Sequence, residues 1–365
     1  KAKAKRKPTR KAAARRPSPP TKTAKPQGTD AKSAALLIGA ASIADADSRA
    51  AALNGVSRYF GEEAPVRERR GLPVRVGEVE VMVSNPGRIY FPEQHLTKLD
   101  VVDYYRSVAP LLLPYLEDRP FVLHRLLSGI VLGSYDIEDP ELRECITTTS
   151  IRSSTGEELR YFLCQNAATL IYLVNLGCLE MHTWNSRVGS LDRPDCLVFD
   201  LDPVDVPFSR AVEVARMFHA VLNDAGLPSF CKTSGKRGLH VAVPLGAQYD
   251  NATACAASAA IAEIVQRELP ALTSLEAGPS RRRRKVYINA LHSGSEAICV
   301  APYSLRPVAH AGVSTPLHWD EVQRDLDPRE FTFHTIHSRI ERVGDPWNGV
   351  LTERADLRTL QRYMR

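Results

Sequence analysis

The sequence predicts a mixed α/β fold, α+β in its arrangement, over roughly residues 71–347, and three observations carry that expectation. Segments whose apolar residues recur at helical spacing alternate with short runs rich in Val, Ile and Phe. Hydrophobic residues make up 44% of the chain and charged residues 25%, the balance of a protein that buries a core. Residues 1–70 show neither signature and predict a basic, low-complexity linker that is mostly disordered.

Charge divides the chain in the same place. Residues 1–32 hold twelve Lys or Arg against the single acid Asp30, so they carry +11 of a net +6 and leave −5 on the remainder. A solvated linker, a polybasic arm for nucleic-acid phosphates and a transit peptide all fit such a tail. The linker, with incidental DNA affinity, is the favoured reading, and a chain beginning with Lys1 reads as a segment of something longer. No run of 18 apolar residues occurs, which excludes a membrane-spanning helix. The seven cysteines include no CxxC pair, so reduced thiols of a cytoplasmic protein are expected rather than a disulfide framework or a zinc site.

Element by element, residues 33–70 offer one short helix near 34–41. In "LPVRVGEVEVMVSN" (72–85) alternating valines predict edge strands. "LTKLDVVDYYRSVAPLLLPYL" (96–116) predicts a helix capped by Thr97 with Asp100, apolar at Val101, Tyr104, Tyr105, Val108, Leu111 and Leu112. A helix over 166–176 is stopped by Gly177, and "CLEMHTW" (178–184) then reads as a strand. Another strand covers 196–202, followed by a helix over 209–225 ending at Gly226. "SFCKT" and "LHVAVPL" are strands joined by "SGKRG", and a helix over 251–269 ends before Pro270. "KVYINAL" and "AICVAPYSL" read as a hairpin across "HSGSE", with Arg306 at the end of its second strand. Residues 348–365 predict a tail with a short helix.

The chemistry begins with "DCLVFDLDP" (195–203). Residues two apart share one face of a strand, so Asp200 and Asp202 project together while Leu201 enters the core. Two like charges at that spacing mark either a strand end opening into a turn or a platform for a divalent metal. The loop "TSGKRGLHVAVPL" (233–245) adds Ser234, Gly235, Lys236, Arg237, Gly238 and His240. Glycines able to take positive φ let backbone N–H groups converge on an anion; the alternative is a hairpin with two solvated cations and a packed histidine. Beside the acid pair, the loop fits a nucleoside triphosphate whose phosphates are shared with metal. "RRRRK" (281–285) is either solvated surface or a phosphate contact, and His182 and Trp184 stand in a strand where packed aromatics are the ordinary case.

In order and spacing, "HTWNSRVGSLDRPDCLVFDLDP", "TSGKRGLHVAVPL" and "KVYIN…APYSLRP…VSTPLHWDEV" resemble the polymerase domain of bacterial DNA ligase D, a branch of the archaeo-eukaryotic primase superfamily. "NPGRIYFPEQHLTKLDVVDYYRSVAPLLLPYLEDRP" resembles the family's N-terminal segment. The resemblance covers about 74–347 and implies a primase-polymerase-like fold with an RRM-like catalytic sheet and flanking helices. It also implies addition of nucleotides, preferably ribonucleotides, at DNA ends or gaps in non-homologous end joining. Mg²⁺ or Mn²⁺ in a two-metal site is implied as cofactor. DNA ends with a 5′-phosphate, nucleoside triphosphates, Ku and the ligase and phosphoesterase modules are implied as partners, in a bacterial cytoplasm and on its nucleoid. By that resemblance Asp200 and Asp202 match the metal ligands, Ser234 and His240 the triphosphate loop, and Arg306 a phosphate contact. Arg88 and Lys98 match residues that hold the downstream 5′-phosphate.

Three departures stand against it. Asn289 occupies the position of the third catalytic aspartate, and an amide neither accepts a proton nor offsets metal charge. His124 replaces a lysine that contacts triphosphate, and the usual pair of phenylalanines is missing near "SGIVLGSYDIEDP", where Tyr135 is a weak substitute. Attenuated catalysis is therefore expected, with a non-catalytic DNA-end-binding module as the alternative. Glu296 is a poor candidate to fill the vacant carboxylate position.

Overall fold

The computed structural model describes residues 71–125, 129–131, 140–152, 156–276, 278–290 and 297–362. The basic segment, Tyr135 and Glu296 lie outside the described residues.

Strands β1 (Leu72–Val76) and β2 (Val79–Val83) form an antiparallel hairpin that buries Val74, Val76, Val81 and Val83. Strands β3 (Ile89–Phe91) and β4 (Leu96–Thr97) pair next and deliver the chain to helix α1 (Lys98–Leu116). The expected cap is present: Asp100 N–H donates to Thr97 Oγ1 at 3.2 Å, and Thr97 N–H donates to Asp100 Oδ2 at 2.7 Å. The helix buries Val101, Tyr104, Tyr105, Val108 and Leu112 of the predicted face, and leaves Leu111 half-buried at its edge. There follow β5 (Pro120–Arg125), β6 (Gly129–Val131), α2 (Pro140–Cys145), β7 (Thr147–Arg152), β8 (Glu158–Leu163), α3 (Ala167–Asn175) and β9 (His182–Trp184). Of "CLEMHTW" only the last three residues are strand.

The second half supplies β10 (Cys196–Val204), α4 (Phe208–Asp224), β11 (Phe230–Thr233), β12 (Leu239–Pro244), α5 (Asn251–Glu268), β13 (Thr273–Ser274), α6 (Pro279–Arg282) and β14 (Lys285–Asn289). Its order β14-β10-β12-β11, all antiparallel, is the split βαββαβ arrangement of an RRM-like sheet. Helices α4 and α5 cover one face. Leu197, Phe199, Leu201, Val241, Val243, Val286 and Ile288 point into that layer with Phe218 and Ile261. Alternation sends Asp200, Asp202, His240 and Asn289 to the opposite face.

The hairpin expected across "HSGSE" does not form. Strand β15 (Ile298–Val300) leaves the RRM-like sheet and pairs with β9, at the edge of a second sheet of order β15-β9-β5-β8-β7. Local turn chemistry was the only cue for the hairpin, and pairing with β9 outcompetes it. Arg306 consequently follows β15 in irregular chain, not on a strand. Strand β16 (Pro316–Leu317) then closes the RRM-like sheet beside β11, and α7 (Ile336–Val343) and α8 (Gly349–Thr352) finish the wrap. Val350, Ala355, Leu357 and Leu360 are buried, so residues 348–362 pack onto the body.

Candidate active site

The site is a row of side chains laid across the sheet by register. Asp200 stands opposite Asn289 on one side and His240 on the other, and His240 stands opposite Lys232 on β11. His240 Nε2 lies 3.2 Å from Asp200 Oδ1. Lys232 Nζ reaches His240 Nδ1 at 2.9 Å and Ser314 Oγ at 2.7 Å. With the ammonium as donor, Nδ1 accepts and the ring proton sits on Nε2, the nitrogen that faces Asp200. Lys232 is fully buried, and burial pulls its ammonium down to about 8.

Asp202 lies one pleat further on, opposite Tyr287. Its carboxyl is pushed up to about 7, first by the charge of Asp200 and then by burial, while Arg237, Arg282 and Arg306 oppose the rise. The repulsion foreseen from the spacing is thus present. A divalent cation removes it, and two carboxylates beside an amide oxygen form an oxygen-only donor set of the kind hard cations take. Arg282 sits with its guanidinium 3.7 Å from the Tyr287 ring centre, which brings the basic run "RRRRK" to the rim of the acid pair.

The loop behaves partly as foreseen. Gly235 has φ +74, and a Cβ there would meet Arg306 Cγ at 2.6 Å. Gly238 does not take positive φ; its role is close approach, since a Cβ would stand 2.6 Å from the Leu201 carbonyl oxygen and 3.3 Å from Asp202 Oδ1. The Ser234 hydroxyl accepts from the backbone N–H groups of Lys236 at 3.2 Å and Gly238 at 3.0 Å, so these donors are satisfied within the loop.

One group escaped the sequence reading altogether. Glu180, only 2% exposed, gathers the site's cations. Arg306 Nε and Lys236 Nζ meet its Oε1 at 2.6 and 2.9 Å, while His124 Nδ1 and His182 Nε2 face its Oε2 at 2.7 and 3.5 Å. Arg306 and Lys236 hold this carboxylate well below its usual range despite the burial that opposes them. Arg306 also donates through Nη1 to the Ser234 carbonyl, tying the loop to Glu180. The signal was available: Glu180 precedes His182 by two residues, and a carboxylate amid apolar residues demands partners. Lys232 was equally legible, because a hairpin turning through "SGKRG" sets it opposite His240.

Arg88 and Lys98 are neighbours, with Lys98 N–H donating to the Arg88 carbonyl at 2.7 Å. Arg88 is half-buried, whereas Lys98 is buried. The Lys98 ammonium lies within 3.1 Å of Ser84 O, Ser84 Oγ, Asn175 O and Asn175 Oδ1. A phosphate reaching it has to displace some of those oxygens, a requirement the sequence did not disclose.

An RRM-like sheet bearing an acid pair on its central strand, with a glycine loop and a basic cluster beside it, defines a primase-polymerase type of domain. The chain belongs to the LigD primase-polymerase family: the family described as "LigD, primase-polymerase domain" matches residues 97–347. The multifunctional non-homologous end joining protein LigD of Pseudomonas aeruginosa is 30% identical over 278 residues, 75% of this chain and 33% of that protein. The corresponding DNA repair protein LigD of Mycobacterium tuberculosis is 30% identical over 292 residues, 76% of this chain and 37% of that protein. The chain therefore spans about a third of the length of these relatives. The polymerase domain of Mycobacterium tuberculosis ligase D, solved in complex with DNA, superposes with a TM-score of 0.67 at 26% identity, covering 75% of this chain and 99% of that domain. Among the described residues no helix is long and apolar enough to cross a membrane.

Proposed function

We propose that this chain is a metal-dependent nucleotidyltransferase that adds nucleotides, preferably ribonucleotides, at DNA ends or gaps in non-homologous end joining, with catalysis attenuated by Asn289. The observation that carries the reading is the register itself: Asp200 is flanked in one row by His240 and by Asn289, at the position where a third carboxylate belongs. Asp200 and Asp202 would hold Mg²⁺ or Mn²⁺, which when bound polarises an attacking hydroxyl and neutralises phosphate charge. His240, fixed by Lys232, orients Asp200. Lys236 and Arg306 supply the positive charge of a wall for a triphosphate, with the His124 ring beside them, and Ser234 offers its hydroxyl proton at the loop. Glu180 keeps that wall assembled before nucleotide arrives. Arg88 and Lys98 would take the 5′-phosphate of the downstream strand, and Ku and the ligase and phosphoesterase modules are the partners this reading calls for.

Asn289 favours a second reading, a DNA-end-binding module that no longer polymerises. An amide at this position leaves the primer hydroxyl without a proton acceptor. Extension of a primer on gapped, 5′-phosphorylated DNA with ribonucleotides and Mg²⁺ or Mn²⁺ separates the two. Extension by the wild type that vanishes in Asp200→Ala supports the enzyme. Tight binding of gapped DNA without any extension supports the binding module.

A further inference from the structure

We propose that His124, Glu180 and His182 form a binding site for one transition-metal ion of the Zn²⁺ class, separate from the Asp200–Asp202 pair though it shares His124 and Glu180 with the triphosphate wall proposed above. The three ligand atoms lie within 4.8 Å of one another. Their backbone is well braced, because His124 on β5 and His182 on β9 belong to paired strands in which Val122 faces His182. Glu180 reaches the same point from the turn before β9. His182 Nε2 is buried and has no hydrogen-bond partner among the described residues.

The carboxylate of Glu180 is divided between two tasks. Its Oε1 meets both cations, Arg306 and Lys236, and among the described residues its Oε2 faces the two imidazoles. Two imidazole nitrogens and one carboxylate oxygen are the His₂Glu set that binds Zn²⁺ with a fourth position left open. Tetrahedral ligands about 2.05 Å from a metal stand roughly 3.3 Å apart. The 3.5 Å separation of His182 from Glu180 already fits, and the 2.7 Å separation of His124 must open by roughly half an ångström. Nitrogen donors select Zn²⁺, Co²⁺ or Ni²⁺ over Mg²⁺, so the two centres sort their ions by ligand type. The cost is the nearby positive charge. Arg306 is buried and fixed, whereas Lys236 lies on the loop with its side chain 37% exposed and can withdraw.

The test is Zn²⁺ uptake by the full chain after chelator treatment, measured by equilibrium dialysis in excess Mg²⁺, with Co²⁺ visible absorption as a second readout. One Zn²⁺ per chain is expected. His124→Ala and His182→Ala should each weaken it about tenfold or more, while the Asp200→Asn/Asp202→Asn double variant and Cys255→Ser leave it unchanged. Lys236→Gln should tighten it, because a cation 2.9 Å from the ligating carboxylate is removed. Far-ultraviolet circular dichroism checks that each variant is folded, and the half-buried His124 is the variant least exposed to misfolding. Uptake that survives both histidine substitutions, or that disappears with the aspartates or Cys255, overturns the proposal. Polymerase activity enters none of these arms.

Discussion

His240 and Asp200 face each other across β10 and β12, with Nε2 of the imidazole 3.2 Å from Oδ1 of the carboxylate. Behind the imidazole the buried Lys232 donates to Nδ1 and to Ser314, so one acid of the pair is anchored from three strands deep while the other is not. This asymmetry separates the behaviour of the two aspartates, because Asp202, without such a brace, absorbs the repulsion.

Asp202 makes the metal-free protein sensitive to pH. Its folded value of about 7 lies above an ordinary aspartate, so the unfolded chain releases its proton first and stability falls as pH rises from about 4 to 7. Asp202→Asn is expected to raise the melting temperature of the metal-free protein at pH 8 by a few degrees. Mn²⁺ should stabilise the wild type more at pH 8 than at pH 6, and the variant equally little at both. Thermal melts with and without metal check this.

Lys232 acts in the opposite pH range. Its folded value of about 8 lies below that of a free lysine, so burial costs stability while the ammonium is charged. The unfolded chain holds the extra proton between about 8 and 10.5, and stability therefore gains on the order of 3 kcal/mol from this group across that window. Urea titrations of wild type and Lys232→Met at pH 7.5 and 10 should show the gain in the wild type alone.

Asn289→Asp restores a carboxylate opposite Asp200. Primer extension is expected to rise about a hundred- to ten-thousand-fold. The metal-free protein should melt lower at pH 8, since a third like charge joins the row. No change in extension would mean that some other group already accepts the proton.

Glu180→Ala leaves Arg306 and Lys236 beside each other without their carboxylate. A loss of about 3 kcal/mol in unfolding free energy is expected, partly recovered when Arg306→Ala is added. A double-mutant cycle in urea measures the coupling.

Gly238→Ala drives a Cβ into the Leu201 carbonyl at 2.6 Å, and strand β12 has to move away from β10. The expected cost is about 1–3 kcal/mol, with a matching loss of the Mn²⁺-induced rise in melting temperature. Gly189→Ala, exposed, without a positive φ and with nothing within 4 Å of its Cβ, controls for the backbone effect of losing a glycine at the surface.

Most of the secondary structure could be read directly because its signals are local. The Thr97–Asp100 cap, the face of α1, the helices stopped by Gly177 and Gly226 and the "SGKRG" hairpin all follow from residues within one or two turns of each other. The acid pair was equally plain, since period-two alternation alone puts Asp200 and Asp202 on one face. The hairpin at 285–305 failed because turn residues permit a reversal without compelling the two strands to pair.

By itself, the sequence determined the family, the strand that carries Asp200 and Asp202, the "SGKRG" loop and an asparagine at 289, all matters of residue type and spacing along the chain. The tertiary structure alone decided that β14 and β15 part into different sheets. It also decided that Glu180 collects Arg306, Lys236, His124 and His182 from four separate segments. A buried carboxylate must find its partners wherever packing brings them, and separation along the chain places no limit on that choice.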